Sequence, residues 1–188
     1  MQIFELKGEV RNNLGKKASK SLRTEKKVPC VLYGGEGNVH FSVVEKDLIK
    51  LLYTPVVYVV KIDLNGKTYN AVMREIQFHP VSDRVLHIDF YQIFEDKPVV
   101  MEVPVKLQGF AEGVQAGGKL VLVTRKLKVK AVPANLPGEI VVDVTTLGLG
   151  KSVKVKELSF ENFEVVNAKE VVVAQVKMTR AAKSAESK

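Results

Sequence analysis

Two groups of side chains have the types and spacing to do chemistry. The first is basic. Between Arg11 and Lys27 lie Arg11, Lys16, Lys17, Lys20, Arg23, Lys26 and Lys27, with Glu25 as the single acid. Cations concentrated in this way neutralise phosphates and release counterions, the electrostatic footprint of a polyanion-binding surface. A solvated helix face is the plainer reading, and charge alone does not choose between them. The second group is His79-Pro80 with His87-Ile88-Asp89. His87 and Asp89 stand two apart in an alternating stretch, so they project to the same side of a strand. With His79 they resemble part of a metal site. Counting argues against that: His40 is the only further histidine, Cys30 the only cysteine, and another carboxylate would be needed. A His–Asp pair that is salt-bridged or faces a nucleic acid is the favoured reading.

Other candidates are weaker. Tyr33, ahead of Gly34-Gly35, can stack on a base or bond a phosphate, or it can be a core tyrosine with its hydroxyl at the surface. Glu75 and Asp89 form a conceivable carboxylate pair, but nothing fixes their separation. Gly113-Val114-Gln115-Ala116-Gly117-Gly118 is rich in glycine, yet Leu120 follows Lys119 and no phosphate-loop motif is completed, so a turn is expected. Cys30, in an apolar stretch, reads as a buried structural thiol. The sequence therefore predicts a protein that is not an enzyme and has no catalytic residues, metal or cofactor.

These residues need elements to hold them. With 188 residues and 46% hydrophobic composition, the chain can form one or two cored domains. No apolar run approaches the ~20 residues of a membrane helix. The start, Met1-Gln2-Ile3-Phe4-Glu5, lacks a signal-peptide layout, and one cysteine fits a reducing compartment, so a cytoplasmic protein is expected. The net charge of +8 favours polyanionic partners, either nucleic acid or an anionic membrane surface.

Period-two alternation predicts strands at Phe4 to Val10, Val39 to Val43, Val56 to Leu64 and Val85 to Phe94, with Cys30 to Tyr33 as a short one. Asn65-Gly66 predicts a tight hairpin, returning over Thr68 to Phe78. Helices are expected at Ala18 to Lys26, starting near Ser19 and ended by Val28-Pro29, and at Glu45 to Tyr53, closed by Pro55. Glu95-Asp96-Lys97-Pro98 reads as a junction. Beyond it, short strands at Met101 to Val105, Lys126 to Val132, Ile140 to Val144, Val153 to Val155 and Val171 to Met178 suggest a sandwich or barrel. The predicted fold is mainly β with a few short helices. It has an N-terminal β-barrel over 1–94, a β-rich, sandwich-like domain over 95–180, and a disordered tail over 181–188.

The order of these pieces resembles a known family. Arg11, Gly15-Lys16, Ser19, Leu22-Arg23, Pro29, Tyr33-Gly34, Gln77, His79-Pro80 and His87-Ile88-Asp89-Phe90 are similar to the motifs of the bacterial 5S-RNA-binding large-subunit ribosomal protein numbered twenty-five. The length fits that family's longer two-domain form, the general stress protein CTC. The resemblance implies an N-terminal barrel similar to the anticodon-binding part of glutaminyl-tRNA synthetase. It also implies binding to loop E of 5S ribosomal RNA within the large subunit. Carried over by position, the contacts are Arg11, Lys16, Arg23, Tyr33, His87 and Asp89, with Gln77 and His79. Where the family often has two arginines, this chain has Lys20 and Ser21. Lys20 keeps a point charge without the planar fork, and Ser21 loses the charge. Lys17 and Lys27 are placed to supply part of the attraction.

The expected roles follow. Arg11, Lys16, Lys20 and Arg23 hold phosphates, and Tyr33 makes a groove contact. Asp89 orients His87 or accepts from a 2′-hydroxyl or an exocyclic amine. The expected partners are 5S ribosomal RNA and the large subunit, with neighbouring ribosomal proteins for the second domain and no membrane. Two other classes stay open: a stress-related interaction module working through the second domain, and a metal-dependent hydrolase using His79, His87 and Asp89.

Overall fold

The computed structural model describes residues 2–54, 56–160 and 162–179. The chain divides into two compact units between Lys97 and Pro98. The first contains β1 (Gln2–Val10), α1 (Lys16–Thr24), β2 (Lys27–Tyr33), β3 (Val39–Val44), α2 (Glu45–Leu52), β4 (Tyr58–Leu64), β5 (Lys67–Phe78) and β6 (Val85–Gln92). Its six strands close into a barrel of order β1-β3-β2-β6-β5-β4. Two joins are parallel, β1 with β4 and β2 with β6; the others are antiparallel.

Alternation decides what fills the barrel. Leu6, Cys30, Leu32, Phe41, Val43, Val60, Ile62, Ala71, Ile88 and Phe90 point inward and are buried. Phe41 and Phe90 meet at 5.8 Å between centroids. Leu48 and Leu51 of α2 join the same core. Asn65 (φ 54) and Gly66 (φ 86) form the expected hairpin turn with both central residues left-handed. Asp63 adds a bond by accepting the Gly66 N–H at 3.0 Å.

The first helix differs from expectation at both ends. It begins at Lys16, with Gly15 (φ 106) in the capping position, so Ser19 lies inside it. It ends at Thr24, because Lys26 takes a left-handed conformation (φ 60) and turns the chain into β2. Pro29 therefore does not stop the helix. It is buried within β2, just ahead of the point where the ladder with β6 begins at Cys30–Ile88. The third strand of the expected set starts at Tyr58 rather than Val56, and β6 ends at Gln92. Pro55 and the tail 181–188 lie outside the described residues.

The second unit contains β7 (Val99–Gln108), α3 (Glu112–Gln115), β8 (Lys119–Leu122), β9 (Lys126–Ala131), β10 (Ile140–Asp143), β11 (Ser152–Lys154), β12 (Glu164–Val165) and β13 (Val172–Lys177). A four-stranded sheet runs β10-β7-β9-β12, and a three-stranded one runs β11-β13-β8. Val103, Leu127, Val129, Val142, Val173, Ala174 and Val176 are buried. The glycine-rich segment forms one helical turn followed by a turn at Ala116-Gly117. Val155 opens a short 3-10 turn instead of continuing its strand.

Phe90 is fully buried in the centre of the barrel. Phe90→Ala should lower the unfolding free energy by about 3–5 kcal/mol, read as a reduced urea midpoint at unchanged slope. A loss below about 1 kcal/mol would show that the barrel centre is not packed as described.

Candidate nucleic-acid interface

The barrel register decides which polar side chains share the outside. On β6, Ile88 and Phe90 point in, so His87, Asp89 and Tyr91 point out. On β5, Gln77 lies opposite His87, Glu75 opposite Asp89 and Val72 opposite Tyr91. On β2, Val31 lies opposite Asp89 and Tyr33 opposite Tyr91. Four predicted residues, Gln77, His87, Asp89 and Tyr33, thus fall on adjacent strands of one outer face. His87 Nδ1 and Asp89 Oδ1 are 2.8 Å apart, and both side chains remain about 30% exposed. The contact ties the Nδ1 side of the ring to the carboxylate, so Nε2 is the ring nitrogen left to meet a ligand.

The helix α1 carries the cations. Lys16 and Lys20, four apart, share a face, and both are exposed. No residue of α1 is fully buried, though Ala18 and Leu22 are half-buried, and polar bonds add to their hold. Arg11 lies where β1 ends beside β3, and its backbone N–H donates to His40 O at 2.9 Å. Its Nη2 donates to Ser19 Oγ at 3.3 Å and to Asn13 O at 3.1 Å. At the other end Arg23 donates through Nε (3.1 Å) and Nη2 (2.9 Å) to the carbonyl of Leu86 on β6. Arg84 Nη2 in turn donates to Arg23 O at 3.1 Å and to Glu45 at 3.4 Å. Two arginines predicted to hold phosphates therefore also brace the helix against the barrel. Glu25, the acid of the segment, accepts from Ser21 Oγ at 3.2 Å.

His79 stands apart from the sheet face. It opens the β5–β6 loop, where its Nδ1 accepts the N–H groups of Val81 (3.3 Å) and Ser82 (3.2 Å). An open cleft beside it is lined by Arg23, Lys27, Glu45, Ser82 and Arg84. Lys27 in that cleft is already paired with Glu9 at 2.5 Å, and the contact raises its pKa. Among the described residues no three His, Cys, Asp or Glu side chains converge as a metal site would require. Cys30 is 1% exposed, and burial pushes its thiol pKa up, away from a nucleophile's range.

Two residues here stand outside the predicted site set, although spacing alone puts Tyr91 on the side of His87 and Asp89. Tyr91 meets Tyr33 edge to face at 5.6 Å, and the Arg74 guanidinium lies 5.9 Å over the Tyr91 ring. A Cβ on Gly34 (φ 96) would sit 2.6 Å from that ring, so the glycine after Tyr33 lets the two tyrosines meet. The available signal was Tyr91 itself, two residues beyond Asp89 on the same strand.

Known proteins match along nearly the whole chain. Residues 6–90 match the ribosomal L25p family, and residues 98–180 match the ribosomal protein TL5 C-terminal domain. A Phocaeicola vulgatus protein named large ribosomal subunit protein bL25 is 57% identical, covering 98% of this chain and 97% of its own. Proteins of the same name from Bacteroides fragilis (54%) and Porphyromonas gingivalis (51%) have the same coverage of each chain. These are names of ribosomal proteins and not of enzymes. With both halves matched in order, the chain belongs to the ribosomal L25p family, in the form that carries a TL5-type C-terminal domain.

Proposed function

We propose that this protein is a structural component of the large ribosomal subunit, in the cytoplasm, and binds the loop E region of 5S ribosomal RNA through its first unit. In this reading residues 1–94 are the RNA-binding domain and 95–180 a second β domain. The observation that carries it is one outer face on which Gln77, His87, Asp89 and Tyr33 lie together, beside a helix that exposes Lys16 and Lys20. Regular A-form RNA hides its base edges in a deep major groove, so a protein must use shape, phosphates and 2′-hydroxyls. A rigid barrel suits that task. Lys16 and Lys20 neutralise phosphates, with Lys17 beside them. Arg11 and Arg23 hold the helix at the angle that presents those lysines, and their charge adds to the attraction. His87, oriented by Asp89, offers Nε2 to a ribose or base edge. Gln77 offers an amide next to it, and Tyr33 a ring edge or hydroxyl. His79 contributes through the loop it shapes.

The test is a titration of the full chain with 5S ribosomal RNA at two salt concentrations, with transfer RNA as competitor. Tight binding that resists the competitor and weakens with salt is expected; equal affinity for both RNAs would sink the 5S assignment. Two sets of variants separate the roles. Lys16→Ala with Lys20→Ala should reduce the slope of log affinity against log salt by about one per lost phosphate contact, with Tm unchanged. Arg23→Ala should reduce RNA affinity by ~1–3 kcal/mol. It should also destabilise the free protein by ~1–2 kcal/mol, because the Leu86 carbonyl loses a charged donor. An Arg23→Ala protein as stable as wild type would contradict the bracing role.

A further inference from the structure

Residues 1–97 carry 15 basic and 12 acidic side chains and residues 98–179 carry 11 and 8, so each stretch brings +3 and what differs is where the charges lie. Within the second unit the two sheets differ. On the four-stranded sheet Lys126, Lys128 and Lys130 face outward between buried Leu127, Val129 and Ala131. Glu102 lies opposite Lys128, Glu164 opposite Lys130, and Lys106 pairs with Glu139 at 3.4 Å. That face is mixed in sign and reads as solvated surface.

The three-stranded sheet is different. Lys119 of β8 lies directly opposite Lys177 of β13, and both are exposed. Neither has a carboxylate within 4 Å among the described residues. On the same side, Gln175 lies opposite Val121 on β8 and opposite Ser152 on β11. The other side turns Ala174 and Val176 into the core. The outer face thus combines two unneutralised cations with an amide and a hydroxyl, and the strand positions facing them carry no acid. Like charges directly opposite each other weaken an antiparallel pair. Among the described residues no carboxylate lies within 4 Å to offset that repulsion, and a bound anion would offset it.

We propose that the outer face of β11-β13-β8 is a second phosphate-binding surface, which takes the backbone of large-subunit ribosomal RNA through Lys119 and Lys177, with Gln175 and Ser152 donating to phosphate or 2′-hydroxyl oxygens. The proposal rests on the ribosomal reading above. Backbone contacts of this kind position a protein without reading sequence, so this face adds attachment while the first unit selects the RNA.

The experiment uses the full chain and RNA extracted from large ribosomal subunits. Affinity is measured across a salt series for wild type, Lys119→Gln/Lys177→Gln, a control Lys128→Gln/Lys130→Gln, and Lys16→Ala/Lys20→Ala. The first double variant should lower the salt slope by about one to two, with a several-fold loss of affinity, while the control leaves both unchanged. Lys177→Glu gives a second readout of opposite sign. It places an acid across from Lys119, so Tm should equal or exceed wild type while RNA affinity falls. An unchanged slope in Lys119→Gln/Lys177→Gln, with a reduced slope in Lys16→Ala/Lys20→Ala, would overturn this surface and leave the first one standing. An equal effect of the control would reduce it to diffuse charge. Loss of dependence on Lys119 and Lys177 with RNA, but dependence on them with anionic vesicles, would assign the face to a membrane and overturn the proposal. Failure of the wild-type chain to bind the RNA at all would remove the RNA-binding reading on which this surface rests.

Discussion

Closure of the six-stranded barrel is the constraint on which the first unit depends. The two parallel joins are what close it: β1 zips along β4 from Gln2–Tyr58 to Gly8–Leu64, and β2 along β6 from Cys30–Ile88 to Tyr33–Tyr91. A closed sheet has no free edge, so no strand can slide without breaking a ladder on each side. Register then becomes a functional quantity. A slip of one residue in β6 would turn His87 and Asp89 into a core made of Phe41, Leu32 and Ile62, and expose Ile88 and Phe90. The burial that stabilises the barrel is also what points the polar pair outward.

Against this rigid wall α1 is held by a different kind of force. It buries none of its residues completely, so apolar packing alone cannot fix its angle. Arg11 and Arg23 do so from opposite ends, one through Ser19 and the other through the Leu86 carbonyl. A guanidinium suits this work because its fork gives several donors in fixed directions and its charge is never lost. Lysine could not make the two-donor contact that Arg23 makes. The lysines are left with the task that suits a hydrated point charge on a flexible stem.

Much of this was legible in the sequence wherever a local rule governs. Alternation at Phe4 and Leu6, at Val39, Phe41 and Val43, and at Ile88 and Phe90 predicted which side chains fill the barrel, and Asn65-Gly66 predicted its hairpin. The shared side of His87 and Asp89 followed from spacing alone. The misses have a common cause. Lys26, a residue with no turn preference, takes the left-handed conformation that ends α1, and Pro29 makes no stop. β8 and β12 are short strands whose identity comes from their partners, β13 and β9. Arg23 finds its acceptor 63 residues away, and Arg74 meets Tyr91 across a register shift in β5. No periodicity encodes contacts of that range.

The departure at Lys20 and Ser21 bears on how such an interface divides its work. Phosphate contacts supply affinity and register, and contacts to base edges and riboses supply discrimination. Against the arginine pair that the family resemblance implies here, Lys20 and a neutral Ser21 keep part of the attraction and give up geometric precision on the helix. Ser21 takes a local role instead, engaging Glu25, an acid beside the cations. Under the proposed function, discrimination must then sit on the wall, where Gln77, His87, Asp89 and Tyr33 are held by the register itself. The helix can vary its cations as long as it keeps its charge and its two arginine braces, whereas the outer face of β6 cannot move without unmaking the barrel.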